Sequence, residues 1–349
     1  MKNKKLRVQT LSAEIFLNQS ANGKIVDVRS PSEYESGHIP GAFSLPLFSD
    51  DERAVIGTIY KQIGKKEAIL EGLEIVGKKM KNIAQKAYEI SKGKSLFVHC
   101  WRGGMRSKSM AQLFENIGIE CFVLNGGYKA YRNLILLDFK KSYKFIVLGG
   151  KTGSGKTQVL QQLYNMGEQV LDLEKLASHK GSAFGSIGEM KQPTTEQFGN
   201  DLHKILTLFD SKKRIWLEDE SHKIGTVFIP FEFYINYRKC PLIVLDISLE
   251  KRLQNLVKIY GNYSKEEIIK SFEKISKKIG GQNVIAAKEL LHQNNLKDAA
   301  AIALYYYDKA YIYGLQNKDT KQIEYMNFEN EDTLQIAKKL IETANVKFS

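Results

Sequence analysis

Cys100 stands in the stretch His99-Cys-Trp-Arg-Gly-Gly-Met-Arg-Ser107, directly behind a short apolar run at residues 96–98. That run reads as a buried strand. Apolar residues then recur at Met110, Leu113, Phe114 and Ile117, the spacing of an amphipathic helix. The pattern predicts a cysteine on a tight loop between a strand and a helix N-terminus. Gly103 and Gly104 allow the loop backbone positive φ and inward-facing N–H groups. Those N–H groups, the helix dipole, Arg102 and Arg106 would favour a thiolate and hold an oxyanion beside it, with Trp101 on its flank. A packing cysteine is the plain alternative, but it has no use for Gly-Gly between arginines. His99-Cys100 and Arg106-Ser107 also satisfy a cysteine-phosphatase signature. That reading lacks an identifiable aspartate general acid.

A second chemical stretch follows the apolar run at residues 144–148. Gly149-Gly-Lys-Thr-Gly-Ser-Gly-Lys-Thr157 satisfies the P-loop pattern, and Val159, Leu160 and Leu163 continue it as a helix. Backbone N–H groups at Gly150, Gly153, Ser154 and Gly155 would cradle phosphate oxygens. Lys156 adds positive charge and the Thr157 hydroxyl offers a ligand to Mg²⁺. Downstream, Arg214-Ile-Trp-Leu-Glu-Asp-Glu-Ser221 reads as a strand ending in three acids. Asp219 or Glu220 is the candidate magnesium-orienting or diphosphate-side carboxylate, and the choice stays open. No metal site is built into the chain by cysteine or histidine spacing.

The elements that must position these loops follow from periodicity. Residues 11–17 read as amphipathic, 24–28 as a strand, and Ser30 with Glu33 as a helix start. His38, in Gly-His-Ile-Pro-Gly, reads as a turn-fixing hydrogen bonder rather than a catalyst. Residues 51–91 are lysine-rich and helical, and residues 119–124 form a strand before the turn Asn125-Gly-Gly127. Past the P-loop, residues 169–174 and 239–246 read as strands, 175–185 as a polar loop, and 250–315 as helical. Tyr305-Tyr-Tyr307 offers base-stacking rings, although three consecutive helical tyrosines cannot share one face. Strands alternating with helices imply α/β architecture with parallel sheets.

With 349 residues the chain is long enough for two cores. Its 52 basic against 39 acidic residues give +13, which points to a polyanionic partner, nucleic acid first. A generally lysine-rich composition is the bland counterpart. No apolar run approaches membrane-span length, no signal-peptide core follows the basic N-terminus, and the three cysteines lie far apart. The expectation is a cytoplasmic protein with no membrane contact.

Several stretches carry a family resemblance. Asp27-Val-Arg29, Glu33-Tyr34, Gly37-His-Ile-Pro-Gly-Ala42, the Cys100 loop and Leu124-Asn-Gly-Gly-Tyr128 resemble a rhodanese domain in order and spacing. In that family the loop cysteine carries sulfur or selenium. The resemblance implies a rhodanese-like parallel-sheet domain over residues 1–132 and a linker over 133–143. A P-loop NTPase-like parallel-sheet domain with a helical C-terminal part would fill 144–349. That order of parts resembles the bacterial tRNA 2-selenouridine synthase family. Asp172-Leu-Glu-Lys-Leu-Ala-Ser-His-Lys-Gly-Ser182, Phe184-Gly185, Glu220-Ser-His-Lys-Ile-Gly225, Lys277-Lys-Ile-Gly-Gly281 and the tyrosines of 305–313 add to it. Lysines 180 and 223 depart from the arginines expected there, which weakens bidentate phosphate gripping. The family implies selenation of wobble 2-thiouridine in tRNAs for Lys, Glu and Gln, after S-geranylation. Geranyl diphosphate and selenophosphate would be co-substrates, with Cys100 handling the chalcogen. Whether the P-loop holds geranyl diphosphate or ATP/GTP stays open, as does a sulfurtransferase with a nucleotide-binding domain.

Overall fold

The computed structural model describes residues 8–318 and 322–348. Two units divide between Asp138 and Phe139. In the first the order is β1 (Gln9–Leu11), α1 (Ala13–Ser20), β2 (Lys24–Asp27), α2 (Pro31–Ser36), β3 (Phe43–Ser44), α3 (Asp50–Gln62), α4 (Lys65–Gly77), α5 (Met80–Ser91), β4 (Leu96–His99), α6 (Met105–Asn116), β5 (Cys121–Leu124) and α7 (Gly127–Asp138). Its sheet has the order β1-β5-β4-β2-β3, and each pairing is parallel. All four β4 residues are buried, as the central strand of a sheet covered on both faces must be. One face packs Met110, Phe114, Ile83 and Leu45; the other packs Phe16, Tyr128, Tyr131 and Ile135.

Three local expectations change. Leu11 ends a strand rather than opening a helix, because Ser12 caps α1 by accepting from the N–H of Ile15. The helical stretch 51–91 is three helices, broken at Gly64 (φ +153°) and at Lys78-Lys79. Residues 133–138, expected in a linker, are the second half of α7, anchored by fully buried Ile135. Phe139 and Tyr143 already pack into the second unit's core.

In that second unit the chain runs β6 (Phe145–Gly150), α8 (Lys156–Asn165), β7 (Gln169–Leu171), α9 (Leu173–Leu176), α10 (Thr195–Leu206), β8 (Ile215–Glu218), β9 (Lys223–Ile224), β10 (Val227–Phe228), α11 (Phe231–Arg238), β11 (Leu242–Ile247), α12 (Leu249–Tyr260), α13 (Lys265–Lys274), α14 (Ser276–Ile279), α15 (Gly281–His292), α16 (Leu296–Gln316), β12 (Ile323–Phe328) and α17 (Thr333–Lys347). The sheet order is β12-β11-β6-β8-β7, again parallel throughout, with β9 and β10 a separate antiparallel hairpin. Edge strand β12 went unread in the sequence, whereas α17 belongs to the helical C-terminal part expected there. Helices α13 to α16 enclose a core of their own, which includes Phe272, Ala287 and Leu291. Among the described residues no helix is long and apolar enough to cross a membrane.

Candidate functional sites

Each reactive loop hangs from the C-terminal end of the middle strand of its sheet, where open parallel sheets hold ligands. Cys100 leaves β4 almost wholly buried, 3% exposed, with Sγ 3.3 Å from the hydroxyl of Ser107 on α6. Gly103 takes φ +64°, as expected; Gly104 does not, capping α6 at φ −90°. The Gly126-Gly127 turn clamps this loop from behind. The Tyr128 N–H donates to the Cys100 carbonyl at 2.8 Å, and the Lys129 N–H donates to that of Trp101 at 3.0 Å. Gly127 sits at φ +61°, where a Cβ would lie 2.3 Å from the Cys100 carbonyl oxygen, so no larger residue fits.

The loop's charges are not disposed alike. Arg106 donates to Glu33 at 2.7 and 3.4 Å, and Arg53 reaches the same carboxylate at 2.9 Å. Burial pushes the Glu33 carboxyl up, but the Arg106 bonds outweigh it and hold it below the usual range. Arg102 is exposed and makes no side-chain hydrogen bond or ion pair among the described residues. Trp101 is 36% exposed, its ring 5.8 Å from that of Tyr128. Beneath lies the ion pair Asp27–Arg29, both residues buried, with the Arg29 guanidinium 3.9 Å from the Tyr128 ring centre. His99 is fully buried 3.8 Å from Asp27, and burial pushes its imidazole down against the pull of that carboxylate. His38 stacks on Tyr34 at 3.9 Å and bonds the Tyr34 carbonyl, which fixes its turn.

The second loop lines a cleft of about 610 Å³. Gly150, Gly153 and Gly155 take positive φ, and Lys156 arches back to donate to the Gly150 carbonyl at 3.0 Å. Ser154 is buried, with its hydroxyl unpartnered. Distant helices brace the loop. Buried Arg252 on α12 donates to the Thr152 carbonyl at 3.2 Å and grips Asp308 on α16 at 2.7 and 2.8 Å. Asn255 donates to the Gly153 carbonyl at 2.9 Å, and the Tyr311 hydroxyl accepts from the Gly150 N–H at 2.7 Å.

Of the two candidate acids, Asp219 is buried against Lys318, whereas Glu220 faces Lys156 and Glu174. Glu174 was missed because residues 169–174 read as one strand. In fact β7 stops at Leu171, where Asp172 caps α9 by accepting from the Lys175 N–H at 2.7 Å and turns Glu174 into the cleft. Thr157 donates to Glu174 at 3.3 Å. Burial pushes Glu174 up, with Lys156 opposing and the Asp172 charge adding; burial pushes Glu220 well up, with the Glu174 charge adding and Lys156 opposing. No three His, Cys, Asp or Glu side chains converge as a metal cage among the described residues. To an Mg²⁺ carried in on a phosphate, the protein would offer the Thr157 hydroxyl and the Glu174 carboxylate beside it.

The bracing contacts of Arg252, Asn255 and Tyr311 also escaped the sequence reading, since nothing local ties them to loop residues 100, 102 and 161 positions away. Lys180 lines the cleft but is engaged by Glu189 at 2.7 Å and the Ile187 carbonyl at 2.8 Å. Lys223 lies outside the cleft, over the Phe228 ring. The three tyrosines separate: Tyr305 is 68% exposed, and the partly buried Tyr307 accepts from the Ala183 N–H.

Residues 143–343 match the family model described as the tRNA 2-selenouridine synthase AAA domain, and residues 12–134 match that of the rhodanese-like domain. The chain is 34% identical to the tRNA 2-selenouridine synthase of Bdellovibrio bacteriovorus, over 85% of this chain and 76% of the relative. It is 31% identical to that of Nitrosomonas europaea, over 91% and 94%. Among solved structures, the N-terminal domain of a Clostridium difficile 630 protein described as ATP/GTP binding is 41% identical. It covers 37% of this chain and 99% of that one, with a TM-score of 0.35.

Proposed function

The chain belongs to the tRNA 2-selenouridine synthase family, and from that premise we propose a two-step conversion of wobble 2-thiouridine to 2-selenouridine in tRNAs for Lys, Glu and Gln. In the first step the C2 sulfur attacks C1 of geranyl diphosphate. A C–S bond forms, the C–O bond breaks, diphosphate leaves, and N3 loses its proton. The N–H groups of Gly153 and Gly155, with Lys156, bind the departing diphosphate; the Gly150 N–H, expected in the same cradle, is held by the Tyr311 hydroxyl instead. Mg²⁺, when bound, would supply further charge neutralisation there.

One observation carries this choice of ligand over a nucleotide. An apolar slot opens off the phosphate cleft, sharing Thr152, Ser182, Leu256, Tyr260 and Tyr307 with it and continuing to Phe272 and Leu304. It is narrow, about 40 Å³, so a ten-carbon chain must spread its walls. Beyond the hydroxyls at its mouth the lining is hydrocarbon, including Ile268, Phe272, Leu296 and Leu304, which suits a prenyl chain and offers a purine no hydrogen-bond partner.

The second step belongs to the Cys100 loop. Selenophosphate already holds selenium at the level of selenide, so no oxidant is needed. The Cys100 thiolate attacks phosphorus, the P–Se bond breaks, and hydroselenide is released beside it. Hydroselenide adds to C2, geranylthiolate leaves, and the selenium-borne proton passes to N3. Water then frees phosphate from Cys100. Alkylation matters because it turns the sulfur into a leaving group and C2 into an electrophile.

Nucleoside mass spectrometry on 2-thiouridine tRNA tests this, with geranyl diphosphate and selenophosphate added singly and together. The expected result is S-geranyl product with the first alone and selenouridine with both. Selenouridine that requires ATP hydrolysis and never passes through the geranylated nucleoside would overturn it.

A further inference from the structure

Beside the Cys100 loop runs a groove of about 560 Å³, walled by helices α3 and α4. Its lining is dominated by Phe48, Ile56, Tyr60, Ile69, Leu73 and Met105. Of these, Tyr60, Leu73 and Met105 are 54%, 64% and 51% exposed, an unusual display of apolar surface for a soluble domain. One glycine opens it. Gly57 on α3 lines the groove and a Cβ there would meet nothing within 4 Å, whereas Gly72 on α4 is buried and a Cβ there would touch the Phe48 ring at 3.4 Å. Glycine inside a helix is unfavourable by about 1 kcal/mol against alanine, so Gly57 marks space that is kept clear. One end of the groove is Met105 and Arg106, on the helix that begins where the Cys100 loop ends.

We infer that this groove is the binding site for the prenyl chain of the S-alkylated uridine during selenation. The inference rests on the two-step reading above. In that reading the base attacked at Cys100 carries a ten-carbon hydrocarbon on the atom bonded to C2, so the chain must lie within a few ångströms of the cysteine loop. Water is a poor place for it, and the groove is the large apolar recess that adjoins the loop. Its polar rim fits the rest of the substrate: Lys61 lines the same recess and would face an RNA backbone, while Arg53 and Arg106 line it from their shared ion pair with Glu33. Holding the chain here selects the alkylated base, because plain 2-thiouridine has nothing to place in the groove.

The test measures binding of full-length protein to an anticodon stem–loop RNA bearing chemically prepared S-geranyl- or S-methyl-2-thiouridine. Wild type should prefer the geranyl RNA by roughly tenfold or more, given the apolar area buried. Gly57→Leu fills the recess with a better helix former, and should bring that preference within about twofold while S-geranylation of 2-thiouridine RNA is unchanged. Leu73→Glu, on the facing wall, should do the same. Full geranyl preference in both variants would overturn the inference. So would equal losses with both RNAs, which would make the face a surface for RNA or protein. Absence of S-geranyl nucleoside from geranyl diphosphate would instead overturn the two-step reading, since the probe RNA is alkylated beforehand.

Discussion

The Cys100 loop and the P-loop solve one problem with different materials. Each is a glycine-bearing turn between the central strand of a five-stranded parallel sheet and the helix that follows. The cysteine loop is shaped by main chain, with Gly127 pressed on the Cys100 carbonyl and two N–H groups of α7 holding the loop's carbonyls. The P-loop is braced by side chains from far along the chain, namely Arg252, Asn255 and Tyr311. The proposed nucleophile would have to be placed to a fraction of an ångström, and packed backbone does that. A phosphate cleft must balance charge, and side chains do that.

The largest test of this contrast separates the two loops by chemistry. Cys100→Ala should lower selenation by at least about a thousandfold and leave S-geranylation intact, whereas Lys156→Ala should lower S-geranylation and leave selenation of RNA geranylated beforehand intact. Nucleoside mass spectrometry reads both. Equal loss of both steps in either variant would erase the division of labour.

Next comes the foundation of the cysteine loop. Asp27→Ala leaves Arg29 buried without its ion-pair partner and should lower stability by about 3–5 kcal/mol in urea titration. A loss under 1 kcal/mol would show that Arg29 finds water or another carboxylate.

Glycine substitutions sharpen the comparison further. Gly127→Ala drives a methyl into backbone and should destabilise by about 3 kcal/mol or more. Gly155→Ala, at φ +83° but with nothing closer than 3.7 Å, should lose only the left-handed penalty, about 1–2 kcal/mol. Similar values for the two would mean the clamp yields. Removing one side-chain brace, Tyr311→Phe, should weaken diphosphate binding by roughly threefold to tenfold in calorimetry, the worth of a single hydrogen bond.

The smallest effect is one of pH. Glu33 is held below its ordinary value of 4.5 by Arg106, with Arg53 and the Ser30 N–H also facing it. A lowered carboxylate stabilises the fold fully above its unfolded value and ceases to do so as pH falls through the folded one. Glu33→Gln should therefore narrow its stability gap to wild type below about pH 4.5 and keep a constant gap above. A gap that widens on acidification would reverse the assignment.

Both loops and their flanking strands were legible because strand–glycine–helix patterns are local: residues 96–117 and 144–163 each contain their own signal. Alternation of strands and helices likewise exposed two parallel sheets. Pairing across sequence distance was not legible. Arg106 as partner of Glu33, Glu174 in the P-loop cleft and Arg252 behind Thr152 depend on how the helices dock, which periodicity does not encode. Gly104 misled for a related reason. Glycine licenses positive φ without requiring it, and this one caps α6 in another conformation.

The Gly126-Gly127 clamp also sets an order of events in synthesis. Cys100 emerges from the ribosome before the turn that shapes its loop, and the Tyr128 and Lys129 amides that fix the carbonyls of Cys100 and Trp101 come later still. Until residue 129 has been released and β5 has paired beside β4, the nascent chain carries a cysteine with no cradle around it. The loop thus takes its shape only when the first domain is nearly complete, a dependence written into chain order rather than into any side chain.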